Sequence, residues 1–206
     1  MGLTPRPALA LFLALACCSA PSTHYIPLHS LDQFECYGDD VWHIDNGVLV
    51  FAKGSKYTPP HRSPRAIALL KRSVEGSYVI ECEAMQTGRD YGHRDLCFFF
   101  DWQDPAHFGY VHLATEADPN SHHIQIVDGA DRSPVTTERT EGVNWGANEW
   151  HDIRIERNVH TGTIRAFFDG TLAMEAVESR FGGGRVGLGS FDDQGRFRNL
   201  RISALQ

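Results

Sequence analysis

Apolar and polar positions alternate with a period of two along most of this chain. Around residue 154, Ile153 and Ile155 alternate with Asp152, Arg154 and Glu156, the signature of a strand with one buried face. Turn chemistry over 158–162 interrupts the pattern. Ile164, Ala166 and Phe168 resume it, and Asp169-Gly170 predicts a tight turn. Similar reasoning predicts a hairpin over 42–51, turning at Asn46-Gly47, and a proline-bearing loop over 53–64 at the sheet edge. Strands follow over 66–70, 77–85, 96–101, 108–114 and 122–127, with a polar loop over 87–94. A polar stretch over 136–145 is expected to cross between sheets, and 185–202 supplies the last two strands.

About a dozen short strands with regular turn signals predict an all-β fold, a two-sheet antiparallel β-sandwich. No long amphipathic helix, repeat or low-complexity tract intervenes. A chain of 206 residues suits one such domain, expected over 25–206.

Three stretches carry a family resemblance. They are the Trp150-His151 start with its two strands and aromatic-Asp-Gly end, the closing segment 184–202, and the opening Trp42–His43–Ile44–Asp45–Asn46–Gly47. Together they resemble the concanavalin A-like jelly-roll superfamily, including laminin-G-like domains and bacterial secreted domains of the 3-keto-disaccharide hydrolase type. The resemblance spans about residues 30–205. It implies a jelly roll whose curved sheet holds a ligand, and it leaves activity open because this fold hosts many functions. It also implies a structural Ca²⁺, for which Asp192, with Asp45, is the positional match.

Charge narrows the partners. The formal charge of −7 argues against nucleic acid, which needs clustered Lys and Arg. The N-terminal 1–20 reads as a signal peptide: Arg6 precedes an apolar run over 8–18 that is too short to span a bilayer. Two processing outcomes are open, cleavage after Ala20 or lipidation of Cys17 at the lipobox-like Ala14-Leu15-Ala16-Cys17. Either makes the product exported, as a secreted, periplasmic or lipid-anchored protein. Cys36, Cys82 and Cys97 remain after cleavage. Alternation turns Cys82 toward the core and Cys97 away from it, against a bridge between them.

The same alternation assembles a candidate site. With the apolar residues facing the core, the opposite face carries Glu81 and Glu83, then Asp95, Cys97 and Phe99, then Tyr110 and His112, then His123 and Gln125. Acid, phenol, imidazole and amide on neighbouring strands suit a sugar, and histidine moves protons near neutral pH. The candidate ligand residues are Glu83, Asp95, Tyr110, His112, His123 and Gln125, and His122 and His151 read as surface residues. Asp95 stands where the 3-keto-disaccharide hydrolase-type domains carry an Asn-Ser-Gly stretch, and no zinc-protease or phosphate-loop spacing occurs. The expected function is an exported carbohydrate-binding or recognition domain. The alternatives are a small carbohydrate-active enzyme, hydrolase-like or lyase-like with His/Tyr acid–base chemistry, and a structural domain with no ligand.

Overall fold

The structure, a computed structural model, describes residues 23–52 and 54–205. The segment over 1–20 expected to be a signal peptide, and Cys17 as the expected lipidation position, lie outside the described residues. In chain order the strands are β1 (Thr23–Tyr25), β2 (Phe34–Tyr37), β3 (Trp42–Asp45), β4 (Val48–Phe51), β5 (Ala66–Glu75) and β6 (Tyr78–Gln86). They continue with β7 (Asp95–Asp104), β8 (His107–Ala114), β9 (His123–Asp128), β10 (Ser133–Pro134) and β11 (Thr136–Arg139). The last are β12 (His151–Arg157), β13 (Thr163–Phe168), β14 (Thr171–Val177), β15 (Gly183–Ser190) and β16 (Gly195–Ala204).

They form two antiparallel sheets. The first runs β11-β14-β13-β12-β6-β16-β4-β3, with β1 on β16, and the second runs β10-β9-β8-β7-β15-β5-β2. Local chemistry fixes the hairpins. Asn46 and Gly47 (φ 49° and 80°), and Asp169 and Gly170 (φ 48° and 77°), are left-handed pairs, as two-residue turns between twisted strands require. The chain crosses between sheets at Val135, ahead of the expected 136–145 stretch, whose first residues already form β11 in the first sheet.

The inward faces meet in one core that includes Ile80, Cys82, Leu96, Phe98, Val111, Leu113, Ile124 and Ile153. Each such aliphatic gains about 1.5–3 kcal/mol on burial, so register is firm. A polar strut crosses this core. Arg157 Nε of β12 donates to Asp101 Oδ2 of β7 at 2.8 Å, and Tyr78 of β6 donates to Asp101 Oδ1 at 2.8 Å. The guanidinium also donates to the carbonyls of Gly162, Glu178 and Phe181.

A second cluster lies on the outer face of the second sheet. Ile67, Leu69, Cys97, Phe99, Trp102, Phe108, Tyr110 and Val127 are buried there, with Tyr37 and Tyr57 against them. The segment 54–65 spans this face. Its Tyr57 ring sits 4.9 Å from Tyr37 at the β2 edge. Arg62 N–H donates to Asp131 Oδ1 at 2.8 Å, and Arg62 accepts from Arg132 N–H at 3.2 Å, beside β10. The loop expected at the sheet edge is therefore a cover.

Two further expectations are corrected. β6 and β7 are consecutive but unpaired: β6 lies between β12 and β16 in the first sheet, and β7 between β8 and β15 in the second. The connection over 87–94 is long enough to cross the ~10 Å between stacked sheets. Glu81 and Glu83 consequently sit on the first sheet, apart from Asp95, His112 and Tyr110. Glu83 accepts from Arg198 Nε at 2.7 Å and pairs with Asn199. His122 and His151 are buried, at 0% and 8% exposure. His151 bridges Asp169 Oδ2 (2.8 Å) and the Trp145 carbonyl (3.1 Å).

Candidate functional site

Cross-strand register brings the remaining predicted residues together. Cys97, His112 and His123 are directly opposed on β7, β8 and β9, and so are Phe99, Tyr110 and Gln125. They share the outer face of the second sheet, but they do not line one open depression. Tyr110 is fully buried, its hydroxyl accepting from Arg132 at 3.3 Å. Gln125 is buried beside it and donates to the Asn120 carbonyl at 3.3 Å. His123 contacts Thr136 Oγ1 at 3.1 Å and Arg139 at 2.8 Å. Burial, and then the Arg139 charge, lower its pKa. Aromatic packing beneath the covering segment buries Tyr110, while Asn120 closes on Gln125, and Thr136 and Arg139 on His123.

Asp95 and His112 are different. Each is 3% exposed, and both border a cleft of about 620 Å³ whose other walls include Tyr91, Arg132, Phe191 and Asp193. Its walls come from the β6–β7, β8–β9 and β15–β16 connections and from Arg62 and Arg132, so it forms where loops meet over one end of the sheet.

A hydrogen-bond network holds the floor. Asp95 Oδ1 accepts from Ser190 Oγ (3.0 Å) and Phe191 N–H (3.1 Å). Asp193 Oδ2 accepts from Asp95 N–H (2.9 Å) and the Tyr91 hydroxyl (3.0 Å), and Asp193 N–H donates to Ser190 Oγ (2.9 Å). His112 Nε2 lies 3.2 Å from Asp95 Oδ2, and neither imidazole nitrogen has an aligned hydrogen-bond partner.

The two carboxyls are driven apart. For Asp95, burial raises the pKa, but the His112 charge and the surrounding donors outweigh it and hold the group below its ordinary value. For Asp193, burial first and the neighbouring Asp95 charge second push the pKa up to about 6. Burial and the Asp193 charge also push the Tyr91 phenol up. Guanidinium groups lie over both aromatic rings, Arg89 at 4.7 Å from Tyr91 and Arg132 at 4.3 Å from Phe191.

A slightly larger cleft, about 690 Å³, lies over the first sheet by Val79, Arg154 and Glu156. Its charges are neutralised on the surface, Arg154 pairing with Glu81 (2.7 Å) and Glu156 (2.9 Å). It lacks the buried, opposed titrating groups that mark a functional cleft.

The two calcium candidates are not brought together. Asp192 pairs with Arg65 at 3.2 Å beside the cleft. Asp45 sits at the turn end of the β3–β4 hairpin and accepts from Asn46 at 2.9 Å. The loop bearing Asp192 leads instead to Gly195, which pairs with Phe51 at the other end of that hairpin. Among the described residues, the one cluster of three or more ligating side chains is Asp95, Cys97 and His112, and its sulfur does not suit Ca²⁺.

Sequence reasoning missed Tyr91, Arg132 and Phe191, and met Asp193 only beside the calcium candidate Asp192. Tyr91 and Asp193 meet across 102 residues of chain, and no local pattern reports that contact. The Asp192-Asp193 pair was itself a visible signal.

No family model and no curated protein matches the chain. Solved structures do. The carbohydrate-binding module CBM66 from Bacillus subtilis superposes with a TM-score of 0.59 at 14% identity, covering 84% of this chain and 96% of that one. The winged bean acidic lectin, solved with methyl-α-D-galactose, gives 0.60 at 16% identity, covering 90% and 100%. Lectin I-B4 from Griffonia simplicifolia, in its metal-free form, gives 0.58 at 18% identity, covering 89% and 100%. With this sheet order and these neighbours, the chain has the concanavalin A-like jelly-roll fold.

Proposed function

We propose that this is an exported carbohydrate-binding domain whose glycan site is the cleft above Asp95 and His112. The observation that carries the reading is that cleft. It joins fixed carboxylates, an imidazole, a phenol and guanidinium groups to an aromatic wall at Phe191. Ligand sites of this type use a few oriented polar groups against apolar walls. Solved neighbours that include a carbohydrate-binding module and lectins support a glycan as the ligand class. The signal segment over 1–20 supports export, with a membrane connection only through a lipid at Cys17.

A second reading is a carbohydrate-active enzyme. Asp193 shifted up to about 6 beside an Asp95 held low is the pattern of an acid–base pair. A glycan array followed by a reducing-end assay on the bound oligosaccharide separates the two. Binding without new reducing ends supports a recognition domain. Turnover abolished in Asp193→Asn supports an enzyme. A native-fold protein that binds nothing on the array would remove both.

A further inference from the structure

We propose that Asp95, Cys97 and His112 form a binding site for a borderline-soft divalent metal ion of the Zn²⁺ class, with its open coordination position facing the cleft. Asp95 and Cys97 are two residues apart on β7, so they project from one face. His112 lies directly opposite Cys97 on β8. One ligand atom from each of the three comes within 4.8 Å of the others, and all three residues are buried.

The spacing fits a tetrahedral ion. Zn–S bonds of about 2.3 Å and Zn–N or Zn–O bonds of about 2.0–2.1 Å place neighbouring ligand atoms about 3.3–3.6 Å apart. Cys97 Sγ donates to Asp95 Oδ1 at 3.5 Å and His112 Nε2 lies 3.2 Å from the other oxygen, Oδ2, so the carboxylate stands between thiol and imidazole at close to these separations.

A second observation points to a ligand. His112 is 3% exposed; its Nε2 faces Asp95 Oδ2 at 3.2 Å without hydrogen-bond alignment, and its Nδ1 has no hydrogen-bond partner. A buried polar group left so is costly unless something else engages it. The surroundings also resemble a second coordination shell. Ser190 Oγ and Phe191 N–H both donate to Asp95 Oδ1, which orients the carboxylate and leaves Oδ2 toward the imidazole. Carboxylate, thiolate and imidazole together select Zn²⁺, or Co²⁺ as its probe, over Ca²⁺. Asp95 and His112 border the cleft, giving the ion an entry path and room for a water.

Ligation as a thiolate requires Cys97 to lose its proton. Uptake should strengthen with pH and release acid.

The test is a Co²⁺ titration of the full chain after chelator treatment, needing no glycan. The expected result is one equivalent bound, with a thiolate-to-cobalt charge-transfer band that Zn²⁺ abolishes. Cys97→Ser and His112→Ala should lose the band. The chain holds five cysteines, so Cys17→Ser, Cys18→Ser, Cys36→Ser and Cys82→Ala together leave Cys97 as the sole thiol, and the band should persist there. Absence of the band in the wild-type chain, or its survival in Cys97→Ser, would overturn the site. The wild-type spectrum decides even where a variant does not fold.

Discussion

Asp193 and His122 are buried groups with opposite pH signatures. Asp193 has a folded pKa of about 6, above the ~3.9 of an unfolded Asp. The folded state therefore binds the extra proton, and stability falls as pH rises from about 4 to about 6. His122 has its pKa lowered to about 4 by burial first and the Arg139 charge next. The unfolded chain binds the extra proton there, so stability is lost as pH falls from about 6.5 toward 4. Chemical denaturation across pH 4–7 should show Asp193→Asn removing the first slope and His122→Asn the second. Asparagine suits the left-handed backbone at His122, φ 57°. Parallel pH profiles for variant and wild type would contradict the assignment of that residue.

Alternation read from the sequence chose the correct face for Asp95, Tyr110, His112, His123 and Gln125, because four aliphatics opposite them had to be buried. It could not report that a distant segment covers that face. A further consequence concerns His112→Ala. An exposed imidazole would leave stability nearly unchanged on removal. His112 is instead buried against Asp95, and its removal strands a buried carboxylate. The expected cost is about 1–3 kcal/mol by denaturant unfolding.

Among the elements, hairpins were legible and sheet membership was not. Asn46-Gly47 and Asp169-Gly170 announce their turns through residues that tolerate a left-handed backbone. Whether β7 continues the sheet of β6 depends on contacts that no local signal encodes, and that ambiguity misplaced Glu83. The buried ion pair between Arg157 and Asp101 ties β12 of one sheet to β7 of the other. Burial raises the Asp101 pKa despite the opposing Arg157 charge. Removing one partner leaves an uncompensated buried charge. Arg157→Ala should lower unfolding free energy by about 3–5 kcal/mol in urea titrations, whereas a loss below about 1 kcal/mol would show that the strut is not a structural tie.

At the scale of the molecule, an inter-sheet core and an aromatic layer beneath the 54–65 cover share strands β5, β7, β8 and β9, so both should unfold in one transition. The resemblance to jelly rolls placed the architecture correctly, while the cleft emerged only from loops that converge in three dimensions. Export is tested by the mass of protein from its native host, which should lack residues 1 to about 20; retention of them would contradict the signal-peptide reading.

The central claim, that glycan binds over Asp95 and His112, is tested most directly by titration calorimetry. The strongest oligosaccharide from the array would be added to wild-type protein, Phe191→Ala and Arg154→Ala. Phe191 walls the proposed cleft, and Arg154 lines the larger one on the other sheet. The account predicts about a tenfold weaker Kd, ~1.4 kcal/mol, for Phe191→Ala at an unchanged melting temperature, with Arg154→Ala indistinguishable from wild type. Unaltered affinity in Phe191→Ala together with loss in Arg154→Ala would contradict it and move the site to the first sheet.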